Sequence, residues 1–262
     1  MADSFPKKIE IHHGNGEVMT GKFSQTFQDS IQDSITLSAL IGELKSKNRF
    51  ILSNEHATFV DKYIEYARCS KVHKFNEGEE FFRARINDYG NNDKHFSLDE
   101  MGAPPPYKAS QNRVNPAGIP YLYLANNIKT AVSEVRPWIG CKITVAKFTL
   151  KKEASVVNFS NKVFVNVTSD KQYEVLENVW RELITRIFSM PFDPRDDIAY
   201  IPTQYISERF KKEGLDGIIY DSALNEDGYN LCLFDVGIAE ANKGNKVMVN
   251  SMDIKMSVED IE

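Results

Sequence analysis

The chain has 262 residues, of which 42% are hydrophobic and 26% are charged, and its formal net charge is −5. This composition is typical of a globular protein that is long enough to bury a sizeable core. The acidic balance provides no field that attracts nucleic acid, and no apolar run has transmembrane length, so we expect neither nucleic acid nor a membrane as a partner.

The cysteine content favours a reducing compartment. Cys69, Cys141 and Cys232 are far apart and odd in number, which indicates free thiols and not a disulfide framework. The first four residues also lack the basic-then-apolar pattern of a signal peptide. We therefore predict a cytoplasmic protein.

Residues 1–77 are predicted to form a mainly helical accessory region. The first twenty or so residues are polar and contain glycine, which is typical of a short strand with loose ends, and two helices follow. In the second helix the apolar residues recur with helical spacing, at Phe59, Val60, Tyr63, Ile64 and Ala67. Ser53 or Asn54 is the expected N-cap of this helix.

Residues 78–236 are predicted to form the principal domain, because strand-like alternation begins near Glu79. Over 81–86 one face carries Phe82, Ala84 and Ile86, and the other carries Arg83 and Arg85. A long loop rich in proline and glycine follows, up to Pro120. Loops of this length without regular structure are uncommon unless they bind something.

Strands and helices then follow without regular βαβ alternation, which predicts an α+β fold. The further strands are expected at 121–125, 142–150, 217–221 and 230–235. The further helices are expected at 127–136, 175–187 and 202–214. Residues 237–262 form a C-terminal extension, in which Gly244-Asn245 between apolar alternations predicts a hairpin.

Four polar side chains are candidates for chemistry: Arg83, Tyr123, Glu134 and Ser222. Each also has a structural explanation, since a strand arginine, a rim tyrosine and a turn serine are common. Glu134 lies at the edge of the apolar stripe of its helix, where a carboxylate needs a partner. An ion pair with an arginine is a commoner explanation of such a glutamate than catalysis.

Five blocks of sequence carry a resemblance to a known family. In chain order they are 82–85 (FRAR), 111–125 (QNRVNPAGIPYLYLA), 130–136 (TAVSEVR), 202–205 (PTQY) and 214–222 (GLDGIIYDS). Together they resemble the RES domain family, which is named for an arginine, a glutamate and a serine. The blocks place these at Arg83, Glu134 and Ser222. Asn112 stands where the family often has glycine, and the family core lacks the leading helices and the C-terminal extension.

The resemblance implies a fold similar to ADP-ribosyltransferases, with a mixed β core and surrounding helices, and an activity that degrades NAD. In several family members inorganic phosphate is the acceptor, and the protein is a toxin neutralised by an antitoxin. Other members modify a protein target. NAD is therefore expected as a substrate, with phosphate as a co-substrate or water in its place, and neither a prosthetic group nor a metal site is expected. An oligomer is left open.

The residue types suit cleavage of NAD. Breaking the bond at the anomeric carbon develops positive charge on the ribose, which the carboxylate of Glu134 can stabilise. The diphosphate needs fixed cationic donors, for which Arg83 is the first candidate and Arg113 the second. The chain has no Gly-x-Gly-x-x-Gly fingerprint, so the dinucleotide is not expected in a Rossmann crevice.

Three further side chains have less specific expected roles. Tyr123 can stack on nicotinamide or donate a hydrogen bond to a phosphate acceptor. Ser222 can orient the ribose or Glu134. Asn230 opens the last strand of the domain beside Ser222 and is a weaker candidate for the same shell.

Other classes of function stay open at this point. Arg49 and His56 are spaced similarly to the Arg-His motif of HEPN ribonucleases, although Ser53 between them is typical of a helix start. Cys69 and His73 have the spacing of half a metal site, for which a free thiol and a surface histidine are the simpler interpretation. A non-catalytic binding module is the remaining alternative.

Overall fold

The computed structural model describes residues 9–12, 18–21, 25–87, 95–163, 173–193 and 196–253. Residues 254–262 of the predicted C-terminal extension lie outside these ranges. The strands are β1 (Ile9–His12), β2 (Val18–Gly21), β3 (Val72–Phe75), β4 (Glu80–Ile86), β5 (Leu122–Ala125), β6 (Lys142–Leu150), β7 (Ala154–Phe159), β8 (Gly217–Asp221), β9 (Tyr229–Leu233) and β10 (Ala239–Met248). The helices are α1 (Gln25–Ser46), α2 (Asn54–Ser70), α3 (Ile128–Glu134), α4 (Glu174–Val179), α5 (Thr185–Ser189) and α6 (Ile201–Lys212).

One mixed sheet organises the molecule. Its eight strands lie in the order β10-β6-β4-β5-β9-β8-β7-β3, while β1 and β2 pair separately. Within the sheet β7 and β8 are parallel and every other neighbouring pair is antiparallel. The chain between β7 and β8 carries α4, α5 and α6, which is the long crossover that parallel neighbours require. The predicted α+β class is confirmed.

The helices cover one face of the sheet. Phe159 of β7 lies at the centre of this core, with its ring stacked 3.9 Å from that of Phe188 and 4.8 Å from that of Trp180, centroid to centroid. The apolar stripe predicted for α2 is buried in the same core, and Ser53 caps the helix by accepting a hydrogen bond from the His56 amide. Because β3 follows α2 directly into the main sheet, the leading helices share their core with the principal domain.

The other face has its own apolar cluster around Phe81, Phe148 and Leu231, closed by Met101 from the long loop. A smaller cluster packs α3 against the sheet through Ala131, Ile143 and neighbouring residues. Within the described ranges no helix combines the length and the apolar character that crossing a bilayer needs.

The predicted C-terminal hairpin is wrong. Gly244 and Asn245 lie inside β10, opposite Ala146 and Val145 of β6. Strand β10 is the outermost strand of the sheet, and its exposed positions tolerate the polar and glycine residues that otherwise mark a turn.

The helix predicted at 175–187 is interrupted. Residues Trp180–Ile184 form a π-helical turn between α4 and α5. Such a turn holds one extra residue, which shifts the buried stripe along the chain. Ile184 and Phe188 are therefore buried, where the uninterrupted period predicted Leu183 and Ile187.

Gly217 is expected to be required by backbone packing. A Cβ at this position would lie 2.2 Å from the carbonyl oxygen of Cys232 on β9. We expect Gly217→Ala to lower the free energy of unfolding by about 3 kcal/mol, the upper part of the usual overpacking range, since the neighbour is backbone and cannot rotate away. Urea denaturation measures this change.

Gly42→Ala is the matched control for that variant. Gly42 lies within α1 with no atom within 4 Å of an added Cβ, so alanine is expected to raise stability by about 0.5–1 kcal/mol. Equal stabilities of the two variants would contradict the packing argument.

Candidate active site

A cleft of about 490 Å³ opens beside β4, β5 and the end of α3. This volume suits a small-molecule ligand. Five of the six predicted site residues line the cleft, namely Arg83, Arg113, Tyr123, Glu134 and Asn230. The sixth, Ser222, contacts Glu134 directly. The tertiary structure thus brings together side chains that are up to 147 positions apart in the chain, as Arg83 and Asn230 are.

Glu134 is the last residue of α3, and its carboxylate is held from one side. Oε1 accepts hydrogen bonds from Ser222 Oγ and from Asn230 Nδ2, each at 2.7 Å. Oε2 has no hydrogen-bond partner among the described residues. The partners of this glutamate are therefore neutral donors instead of an arginine, and one carboxylate oxygen is available to a ligand.

The turn between β8 and β9 positions Ser222. Its amide donates to the Gly228 carbonyl, which closes the turn, and its Oγ accepts from the amides of Leu224 and Asn225. A Cβ on Gly228 would lie 2.0 Å from Thr130 Oγ1, so glycine is what allows the turn to approach α3. This close approach brings Ser222 to Glu134.

Arg83 on β4 is a mostly buried cation without a carboxylate partner in the described part of the chain. One nitrogen, Nη1, donates to the Tyr123 carbonyl at 2.8 Å, while Nε is buried with no partner. Burial and, to a smaller extent, the nearby Arg85 together lower the pKa of Arg83 to about 10. The group is still charged at neutral pH, so the cleft contains a positive charge that an anionic ligand can neutralise.

The hydroxyl of Tyr123 holds the long loop in place. Its hydroxyl donates to Asn115 Oδ1 at 2.7 Å and accepts from the Val114 amide at 3.2 Å. Burial raises its pKa well above the usual value for tyrosine, which keeps the hydroxyl protonated. The donor and acceptor capacity of this hydroxyl is therefore used within the fold, and the predicted hydrogen bond to a phosphate acceptor would have to displace Asn115.

The first residues of α6 hold the same loop from the other side. Gln204 Nε2 donates to the carbonyls of Asn112 and Asn115, and Thr203 Oγ1 donates to the carbonyl of Arg113 at 2.6 Å. The block at 202–205 therefore shapes the wall of the cleft without reaching into it.

Arg113 is held by the segment that follows the π-helical turn. It donates to the carbonyls of Ile187 and Met190, at 3.1 and 2.6 Å. Its guanidinium also lies 5.0 Å from the ring centroid of Phe192 and 5.4 Å from that of Tyr200. With these donors used internally, Arg113 fixes an aromatic wall of the cleft, which makes it a weaker candidate for the diphosphate than Arg83.

The cleft contains residues that the sequence did not single out. Phe192, Tyr200, Tyr220 and Arg136 all line it. Phe192 and Tyr200 belong to irregular segments, where no periodicity marks a functional side chain. Arg136 ends the sequence block at 130–136, but nothing in its sequence context predicts a role in the cleft.

The residues behind the alternative functions lie elsewhere. Arg49 is exposed in the connection between α1 and α2, and His56 on α2 contacts the Glu43 carboxylate through Nδ1. That contact joins the two helices and explains the histidine structurally. Among the residues that the structure describes, no group of three or more His, Cys, Asp or Glu is placed to hold a metal ion.

Tyr123→Phe is expected to destabilise the protein by about 1–3 kcal/mol, because it leaves Oδ1 of the buried Asn115 and the Val114 amide without a hydrogen-bond partner. Urea denaturation gives the change in free energy of unfolding. Tyr107→Phe is the control, since Tyr107 is 83% exposed and is expected to be neutral. If both variants matched the wild type, the hydroxyl of Tyr123 would not be holding the loop.

Comparisons with known proteins give a family and one structural likeness. No curated protein was found to match the sequence. A solved structure, the M. tuberculosis MbcT-MbcA toxin-antitoxin complex, is 12% identical, with a TM-score of 0.40, and the match covers 72% of this chain and 92% of that one. The family model described as RES domain matches residues 81–252, well over half of the chain and beyond the predicted boundary at 236. The chain therefore belongs to the RES domain family.

Proposed function

We propose that this protein cleaves NAD at the bond between nicotinamide and ribose. The observation that carries the proposal is a carboxylate with one unpartnered oxygen, on Glu134, in the same cleft as the uncompensated cation of Arg83. The first suits a ribose that gains positive charge, and the second suits a diphosphate. Family membership is in line with both assignments.

In this reaction the protein has to orient the substrate and to stabilise the charge that develops on the ribose. The bond between the anomeric carbon and the pyridinium nitrogen breaks, and its electron pair stays on nicotinamide, which leaves as a neutral molecule. The ribose carbon becomes cation-like and is attacked by an oxygen of phosphate or water. Phosphate gives ADP-ribose 1-phosphate, and water gives ADP-ribose with loss of a proton. Ser222 and Asn230 keep the Glu134 carboxylate oriented towards this carbon.

The test is purified protein incubated with NAD, with and without inorganic phosphate, followed by chromatography of the products. We expect NAD to disappear and nicotinamide to accumulate. A phosphorylated sugar product that requires phosphate identifies phosphorolysis, and free ADP-ribose identifies hydrolysis. ADP-ribose attached to protein would identify transfer to a protein target. Unchanged NAD in the presence of folded protein would remove the proposed activity.

In the cell, we propose that this activity makes the protein a toxin of a toxin–antitoxin or defence system, acting on cytoplasmic NAD. Induced expression is then expected to deplete NAD and arrest growth, and expression of Glu134→Gln is expected to do neither. Growth arrest by both forms, with NAD unchanged, would point to another mode of action. A protein encoded beside this one that restores growth would be the expected antitoxin.

A further inference from the structure

Arg136 has an unusual backbone conformation for its residue type. Its φ is +49°, and no other non-glycine residue in the described part of the chain has a positive φ. It directly follows Val135, the C-cap of α3, and its amide donates to the Ser133 carbonyl to end the helix. Glycine is the usual residue at this position, because a Cβ is strained in the left-handed region. Pro137 adds a further restriction on the residue before it.

Arg136 is exposed, so its side chain needs no partner within the fold, and only its backbone conformation is unusual for an arginine. Its side chain lines the cleft, and it makes no hydrogen bond or ion pair within the described ranges. The two other arginines of the cleft donate to carbonyl oxygens, Arg83 to Tyr123 and Arg113 to Ile187 and Met190. Strained residues of this kind cluster at functional sites, where the strain is offset by what the side chain does.

The position of Arg136 relative to Glu134 indicates a ligand. The two residues are two positions apart, and both line the same cleft. An anionic acceptor that attacks the ribose must come close to the carboxylate of Glu134, which repels it. A guanidinium in the same cleft as that carboxylate offsets the repulsion and offers paired donors for phosphate oxygens. Water as an acceptor needs no such cation.

We propose that Arg136 binds inorganic phosphate as the acceptor and so directs the reaction towards phosphorolysis. This inference rests on the proposed cleavage of NAD in this cleft. The same guanidinium chemistry would also suit the diphosphate of NAD, so the experiment has to separate the two sources of phosphate.

The test compares Arg136→Gly and Arg136→Gln with the wild type. Glycine relieves the backbone strain, so the first variant is expected to melt at the same temperature as the wild type or higher. In steady-state assays we expect the KM for inorganic phosphate to rise roughly 10- to 100-fold, as for loss of hydrogen bonds to a charged group, while the KM for NAD changes less than about 3-fold. The product ratio should shift from the phosphorylated sugar towards free ADP-ribose.

Lys129→Gln is the matched control, because it removes one positive charge from an exposed position on the same helix, outside the cleft. It is expected to leave both KM values unchanged. A rise in the KM for NAD alone, in either Arg136 variant, would assign Arg136 to the diphosphate and overturn the acceptor role. Unchanged constants for both substrates in folded variants would overturn the inference altogether.

Binding measurements distinguish this inference from the proposed activity. Isothermal titration with inorganic phosphate alone, and with NAD alone, needs no turnover. If NAD is never consumed, the proposed function fails, but weaker phosphate binding by Arg136→Gly than by the wild type would still support a phosphate site at Arg136. No binding of phosphate to the wild type, or equal binding by the variant, would overturn that site.

Discussion

Replacing Glu134 by glutamine is expected to lower NAD turnover by roughly 100-fold or more, because the substitution removes the charge that stabilises the ribose in the transition state. The loss should lie in kcat, with a small effect on the KM for NAD, since the charge on the ribose develops during the reaction. Chromatographic assay of nicotinamide release measures both constants.

The same substitution is expected to preserve the structure. Ser222 and Asn230 both donate to a single oxygen of Glu134, and the amide oxygen of glutamine can accept from both. The free energy of unfolding should therefore change by less than about 1 kcal/mol. Glu240→Gln, on the exposed edge strand, is the control for loss of a carboxylate elsewhere. Near-normal turnover in Glu134→Gln would show that Glu134 is not the stabilising group.

Replacing Arg83 by methionine is expected to raise the KM for NAD roughly 10- to 100-fold, the range for loss of hydrogen bonds to a charged group. Arg83 has no carboxylate partner in the described residues, and its Nε is buried and unbonded. A charge in this state is costly to bury, so a methionine of similar shape offsets the loss of the hydrogen bond to the Tyr123 carbonyl. We expect the variant to be as stable as the wild type, to within about 1 kcal/mol.

A higher KM for NAD together with unchanged stability distinguishes a binding residue from a structural one. If Arg83 served the fold, Arg83→Met would lose stability and substrate binding together. Arg186→Met is the matched control, because Arg186 is exposed on α5 and does not line the cleft. It should change neither urea denaturation nor the kinetic constants. Normal binding of NAD by Arg83→Met would exclude Arg83 from the diphosphate site.

Local sequence patterns predicted the strands that have one exposed and one buried face, or that are bounded by breakers. Strands β6 and β8 have the predicted bounds, and β4 differs by one residue. Strand β7 was missed, and its burial explains why. Five of its six residues are buried, so it has no polar alternation, as is usual for a strand paired in parallel inside a sheet.

The predicted helix at 175–187 and the predicted C-terminal hairpin are also wrong because a local pattern does not show the tertiary environment. The π-helical turn at Trp180–Ile184 changes the period within one helical segment, and a search for a constant period cannot detect it. Glycine and asparagine favour turns, so the residues of β10 predict a hairpin. Strand β10 is the outermost strand of the described sheet, where such residues are tolerated.

The sequence by itself determined the family, the α+β class and five of the residues that line the cleft, because ordered blocks of specific residues are a local property of the chain. Only the tertiary structure decided how those residues are used. It gave Glu134 two neutral donors, assigned the hydroxyl of Tyr123 to the long loop and left Arg83 and Arg136 without a carboxylate within the described residues. Hydrogen-bond partners and buried charge depend on segments that are far apart in the chain, and their pairing arises only when the sheet has brought those segments together.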